Sequence, residues 1–204
     1  IAIGPYPAEV LDLLLNTPNV RLIMGNHDAW FVHGLPTPQP SWMSDGEVEH
    51  QHWVHSCLDP SLRSTIAQWP HIIQEEFEGA RLAFLHYPPA DTAAGFAPIL
   101  RGPTPDALDG MFAPYQADIV FYGHTHRALD VVGQARYVNT GALGCDSEPV
   151  ARFVVLECAK GEYRLEKRAV SYDDGPLFAA FENRQVPERE FIYQAFFGGR
   201  YRRV

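Results

Sequence analysis

Short apolar runs alternate along this chain with polar, Gly- and Pro-rich breaks, and the spacing inside each run decides what it can form. Pro5 and Pro7 stand ahead of Val10, Leu11, Leu13, Leu14 and Leu15, with Glu9 between them. That order predicts a helix beginning near Pro7, with proline and a carboxylate at its positive end, and stopping over Asn16 to Pro18. Val20 to Met24 is a short apolar run whose length and flanking Pro and Gly predict a buried strand. From Phe31 to His55 the chain is rich in Pro, Trp and His without a sustained period, which predicts a long connection carrying a helical turn or two. Asp59-Pro60 then supplies an N-cap and a first helical residue, and Leu62, Ile66 and Trp69 recur at i, i+4 and i+7, so a helix with one buried face is expected.

His71 to Phe77 and Arg81 to Leu85 flank Glu78-Gly79-Ala80 and read as a hairpin. A loop follows over Ala90 to Pro103, then a helix opened by Thr104-Pro105-Asp106 and carrying Leu108, Met111 and Phe112, then a buried strand over Asp118 to Tyr122. Beyond it the pattern is β-rich, with strands expected over Leu129 to Val132, Tyr137 to Thr140, Phe153 to Glu157 and Tyr163 to Val170, and turns at Gly133-Gln134 and Lys160-Gly161. The last thirty residues look helical. Strands alternating with helices, then a run of strands, predict an α/β protein (α+β in some schemes) in which two mixed sheets pack together with helices outside, an α-β-β-α sandwich of four layers.

Composition narrows the partners. At 204 residues and 46% hydrophobic content the chain can bury one continuous core. A net charge of -9 argues against a partner held by nucleic-acid phosphates, which requires clustered Lys and Arg. The basic cluster at Arg200, Arg202 and Arg203 reads as a solvated tail end. Cys57, Cys145 and Cys158 are odd in number and widely spaced, so neither a disulfide framework nor a thiolate zinc site is indicated, and a reducing compartment fits. No apolar stretch approaches the ~20 residues needed to cross a bilayer, and a cytoplasmic location without a membrane partner is the expectation.

Three motifs carry the chemistry, and each ends an apolar run: Gly25-Asn26-His27-Asp28, His86, and Gly123-His124-Thr125-His126. In open α/β sheets, loops from the C-terminal ends of separate strands converge on one crevice. Two imidazoles two residues apart on a strand extension point to the same side, so His124 and His126 can both reach a metal such as Zn, Fe, Mn or Ni. Asn26 adds an amide oxygen able to ligate, His27 an imidazole able to give a proton, and Asp28 a carboxylate able to orient that imidazole. His86, a third strand-end residue, reads as a further ligand. A second His-x-His at His50 and His52 lacks a preceding strand, and with His33, His55 and His71 it takes the structural reading.

In this order the motifs resemble the calcineurin-like metallophosphoesterase superfamily, in particular its small bacterial and archaeal members. The resemblance runs from the N-terminus to about Asp173, leaving 174–204 as a helical tail, and includes Asn139-Thr140-Gly141-Ala142, which resembles the family's strand and turn after the last metal loop. It implies that Asn26, His86 and His124 bind one divalent ion and His126 a second. It further implies that His27 serves the leaving group as proton donor or phosphate clamp, with Asp28 as its partner. Two ions roughly 3.5–4 Å apart would then activate a hydroxide for in-line attack on a small-molecule or protein phosphoester. The family's Asp-x-His and Gly-Asp motifs do not occur here. Because Ile1 to Pro7 resembles the segment that follows that Gly-Asp, the expectation is a fragment lacking its first β-α-β segment, with an incomplete site. A non-catalytic scaffold on the same fold and a mononuclear hydrolase are the alternatives. The Phe31 to His55 segment, with Trp30, Trp42 and Trp53, and the Ala90 to Pro103 loop are expected to shape the substrate pocket.

Overall fold

The computed structural model describes residues 1–92 and 95–201, so Arg202 and Arg203 of the basic tail, and Ala93 and Ala94 of the Ala90 to Pro103 loop, lie outside the described residues. The chain divides into two compact units, Pro70–Tyr172 and a second made of Ile1–Trp69 with Asp173–Val204.

The unit from Pro70 to Tyr172 holds both sheets. Strands β1 (Ile72–Phe77), β2 (Ala80–Leu85), β3 (Ile119–Tyr122), β4 (Leu129–Val132) and β5 (Arg136–Asn139) form a five-stranded sheet in the order β1-β2-β3-β5-β4. The three middle strands, β2, β3 and β5, are parallel, and the edges β1 and β4 pair antiparallel. Strands buried on both faces need side chains for two cores, and alternation supplies them. Leu82, Ile119, Phe121 and Val138 face one core with Val154, Leu156 and Leu165, while Ala83, Leu85, Val120, Tyr122 and Tyr137 face the other with Leu108 and Phe112. The first core joins the sheet to the antiparallel hairpin of β6 (Val150–Ala159) and β7 (Glu162–Ser171), and the second seats the helix Pro105–Phe112. Thr104 caps that helix by accepting from the Ala107 N–H, as its Thr-Pro start predicts. At Gly133 a Cβ would collide with the Asp109 carboxylate, which accepts from the Gln134 N–H at 2.7 Å and the Tyr137 hydroxyl at 2.6 Å. A side chain at that position would have to push the carboxylate off both of these bonds.

The other unit is helical: α1 (Pro7–Asn16), α2 (Asn26–His33), α3 (Asp45–Cys57), α4 (Arg63–Ile66), and, after α5 (the Pro105–Phe112 helix of the first unit), α6 (Gly175–Asn183) and α7 (Arg189–Phe197). Leu11, Met24, Phe31, Val54, Leu58 and Ile66 form its core. α1 begins at Pro7 as expected. Three expectations are corrected. Val20 to Met24 is not a strand, because a strand exists only where a neighbour completes its hydrogen-bond ladder and none pairs with it among the described residues. Phe31 to His55 is no mere connection, since α3 runs 13 residues from an N-cap at Ser44, whose hydroxyl accepts from the Glu47 N–H at 3.0 Å. After Asp59, which caps by accepting from the Ser61 N–H, the helix splits into a 3-10 turn over Pro60–Leu62 and the single turn of α4. Among the described residues no helix is long and apolar enough to cross a membrane.

Candidate functional site

Register explains how three residues reach one end of the sheet. Leu85 pairs with Tyr122 and Tyr122 with Asn139, so β2, β3 and β5 end level, and His86 and Gly123 are the next residues out on their strands. The Gly123 N–H donates to the His86 carbonyl at 2.9 Å, carrying the pairing one step past the strands. His86 Nε2 and His124 Nδ1 then lie 3.0 Å apart. The loop does not continue as a strand extension. His124 and His126 both adopt left-handed backbone (φ 65° and 57°), and the Thr125 N–H turns back to the Gly123 carbonyl at 2.7 Å. Left-handed conformations are uncommon outside Gly, and they cluster where surrounding structure imposes them.

Asn139 is what imposes this one. It is 2% exposed, donates from Nδ2 to the Gly123 carbonyl (2.8 Å) and the Thr125 hydroxyl (3.0 Å), and accepts the Gly141 N–H at 3.0 Å. In the sequence Asn139 is marked only as part of a strand and turn. The available signal was a buried-strand polar residue level with the two histidine-bearing strand ends.

Burial pushes the His86 pKa down to about 3, with His124 and His126 adding to the effect. Burial lowers those of His124 and His126 as well, the neighbouring His126 contributing at His124. All three rings are therefore neutral near pH 7 and keep a lone pair. From the Ala90 to Pro103 loop, Phe96 packs on the pair, edge-on to His86 at 5.4 Å and stacked beside His124 at 6.0 Å, and His71 meets the same ring edge-on.

In the helical unit, Gly25-Asn26-His27-Asp28 opens α2. Gly25 is the N-cap, and Asp28 at the third helical position accepts the Gly25 N–H at 2.8 Å, a capping box. Its other oxygen lies 3.2 Å from the amino group of Ile1. Asp28 thus serves as a cap here, and the partner on His27 Nδ1 is Gln51 of α3, whose amide nitrogen sits 2.9 Å away. Trp30 closes the other side of the His27 ring, edge-on at 4.8 Å. Asn26 is buried in the first turn. His50 and His52 fall on α3, where residues two apart point about 200° from each other, so they cannot share a ligand. His50 is buried and His52 exposed.

Among the described residues, no group of three or more His, Cys, Asp or Glu stands together as a ready cation cage. The strand-end pair nonetheless fits a metal. Two nitrogen ligands at ~2.0–2.1 Å from a tetrahedral ion lie about 3.4 Å from each other, close to the spacing of His86 and His124. Neutral, desolvated imidazoles are the form in which histidine ligates.

A model of the calcineurin-like phosphoesterase superfamily domain matches residues 5–161, and the chain belongs to that superfamily. In structure it is similar to a hypothetical protein of Pyrococcus horikoshii OT3, with a TM-score of 0.77 at 18% identity over 98% of this chain and 83% of that one. It is also similar to a metallophosphoesterase from Sphaerobacter thermophilus, with a TM-score of 0.68 at 19% identity, covering 95% of this chain and 82% of that one. At such identities the likeness is one of fold. A search of curated proteins found no match.

Proposed function

We propose that the protein is a hydrolase of phosphate mono- or diesters that works with two divalent metal ions, Mn, Fe, Zn or Ni. The observation that supports this most is the neutral His86 and His124 pair, 3.0 Å apart where parallel strands end and braced from behind by Asn139. Bound divalent ions supply Lewis acidity, which makes water a nucleophile at neutral pH and stabilises charge on the phosphoryl oxygens.

The residues divide the remaining work. His86 and His124 would hold one ion and His126 the other, each through the lone pair of a neutral imidazole. Gln51 donates its amide hydrogen to His27 Nδ1, so the neutral ring carries its proton on Nε2, the nitrogen assigned to the leaving alkoxide. Asp28 fixes the start of α2 and thereby the position of His27.

Purified protein loaded in turn with each metal should hydrolyse p-nitrophenyl phosphate or its bis-ester, lose activity to EDTA and regain it on metal return. His124→Ala should cost about 100-fold or more, as loss of a group acting directly on the reacting centre does. Metal bound at one equivalent with retained turnover would replace the two-ion reading with a mononuclear one. Bound metal without hydrolysis of either ester would favour a binding scaffold.

A further inference from the structure

Histidine turns easily about its last side-chain bond, because the torsion between a tetrahedral carbon and a flat ring has broad minima. A backbone held in place, as Asn139 holds the loop of His124, therefore does not by itself decide the plane in which the imidazole lies. Packing has to do that. Besides His86, the rings that pack on His124 are Tyr87 and Phe96, and both come from the stretch of chain that directly follows His86.

The Tyr87 ring centre sits 5.2 Å from that of His124 at a tilt of 42°, and that of Phe96 lies 6.0 Å away at 27°. Phe96 also meets His86 at 5.4 Å and 68°, close to edge-on. Both aromatics are buried, in the same core as Leu85, Leu108 and Tyr122. Separations of this size are those at which flat rings constrain one another's orientation. The chain that carries Phe96 is tied back on itself. The Ala97 N–H donates to the Pro88 carbonyl at 2.9 Å and the Ala90 N–H to the Gly95 carbonyl at 3.1 Å, with Pro89 and Phe96 paired antiparallel between them. The Thr92 hydroxyl donates to the Phe96 carbonyl at 2.8 Å, and the Tyr87 hydroxyl accepts the Leu100 N–H at 3.0 Å. Phe96 is thus mounted on a strap fixed by its own hydrogen bonds, none of which involves a histidine.

We propose that Phe96, held by this strap, is a positioning residue for the metal site, setting the ring planes of His86 and His124 so that their nitrogens converge to 3.0 Å before an ion arrives. A ligand whose rotamer is locked by packing loses little freedom on coordination, whereas one beside a gap has to be ordered by the ion itself, at a cost in affinity. At 2% exposure Phe96 has almost no surface to offer a substrate, so it acts through the two imidazoles. Tyr87 anchors the far end of the strap through Leu100 and adds a second contact on His124. All of these residues belong to the unit Pro70–Tyr172. The role rests on the reading of the histidine pair as metal ligands.

Three variants, each checked for native circular dichroism, separate positioning from packing. Phe96→Leu keeps an apolar side chain and removes the ring, Thr92→Val keeps the shape and removes the bond to the Phe96 carbonyl, and Leu108→Val loosens the same core from α5. In a competition titration with Co²⁺, Phe96→Leu should weaken binding about 10–100-fold and change the visible absorption of the bound ion, which reports ligand geometry. Thr92→Val should weaken it in the same direction by less, and it carries the comparison should Phe96→Leu fail to fold. Leu108→Val should stay within about twofold of the parent with its spectrum unchanged. In metal-free protein, NMR cross-relaxation between the His86 and His124 rings should fade in Phe96→Leu and persist in Leu108→Val. Co²⁺ bound as tightly by Phe96→Leu and Thr92→Val as by the parent overturns the positioning role and leaves the metal reading standing. Equal weakening in Leu108→Val overturns it too, as a general loosening of the core. If the parent binds no Co²⁺, the metal reading fails, and the metal-free measurement decides by itself: ring contacts that persist in Phe96→Leu overturn the positioning role, and their loss in that variant alone supports it.

Discussion

Asn139 joins strand end to loop through one side chain. Its amide satisfies the Gly123 carbonyl and the Thr125 hydroxyl while its oxygen takes the Gly141 N–H, so one residue sets both flanks of His124. Asn139→Ala should cost about 2–3 kcal/mol in denaturant unfolding, because buried groups lose their partners. It should also weaken metal binding about 10–100-fold in a competition titration, the usual effect of removing a group that orients a ligand. Asn139→Asp should rescue little, since it keeps the acceptor for Gly141 but faces an oxygen towards the Gly123 carbonyl. Gln51 holds a parallel place towards His27. Gln51→Met, similar in length but without the amide, should lower kcat about tenfold with KM nearly unchanged and shift the alkaline limb of the pH profile, which a proton donor sets. Lost packing alone would not move that limb.

The elements that carry the histidine pair depend on cores on both faces of the sheet. Ile119 is fully buried in β3, in the core between the sheet and the β6–β7 hairpin. Ile119→Ala should therefore destabilise by about 2–5 kcal/mol in urea unfolding, whereas truncating the exposed Val132 on the edge strand should stay within ~0.5 kcal/mol. The same contrast explains which elements were legible in the sequence. β4 falls at Leu129 to Val132, as expected, and the strand-end positions of His86 and His124 follow from the apolar runs before them. α3 was not legible, because two of its buried residues are His50 and Gln51, which interrupt any apolar period. Val20 to Met24 has the composition of a strand but no partner among the described residues, and pairing is not a local property. Gln51 and Asn139 escaped notice for a related reason: each acts through a residue distant in sequence, across 24 positions to His27 and 16 to Gly123.

At the scale of the whole molecule, buried histidines make stability depend on acid. The His55 pKa is lowered to about 4, first by burial and then by the charges of Arg63 and His52, and its Nε2 is buried without a partner. Its ring packs edge-on to Phe31 at 5.5 Å, and the Arg63 guanidinium lies over that same phenyl ring at 4.8 Å. In the unfolded chain His55 regains a pKa near 6.5. Between those values the unfolded state holds a proton that the folded state does not, so stability rises with pH across the window. The contribution is present above about pH 6.5 and is lost as the pH falls towards 4. Asp130 acts lower down. Hydrogen bonding to Arg136 is the main cause holding it at about 2, with Lys167 adding to it, so its contribution survives to about pH 4 and disappears below. Urea midpoints taken from pH 7.5 to 3 should thus fall first between 6.5 and 4. In His55→Phe, which cannot take up a proton, the fall over that first window should shrink while the step below pH 4 remains. An unchanged fall in the variant would assign the upper window to other groups.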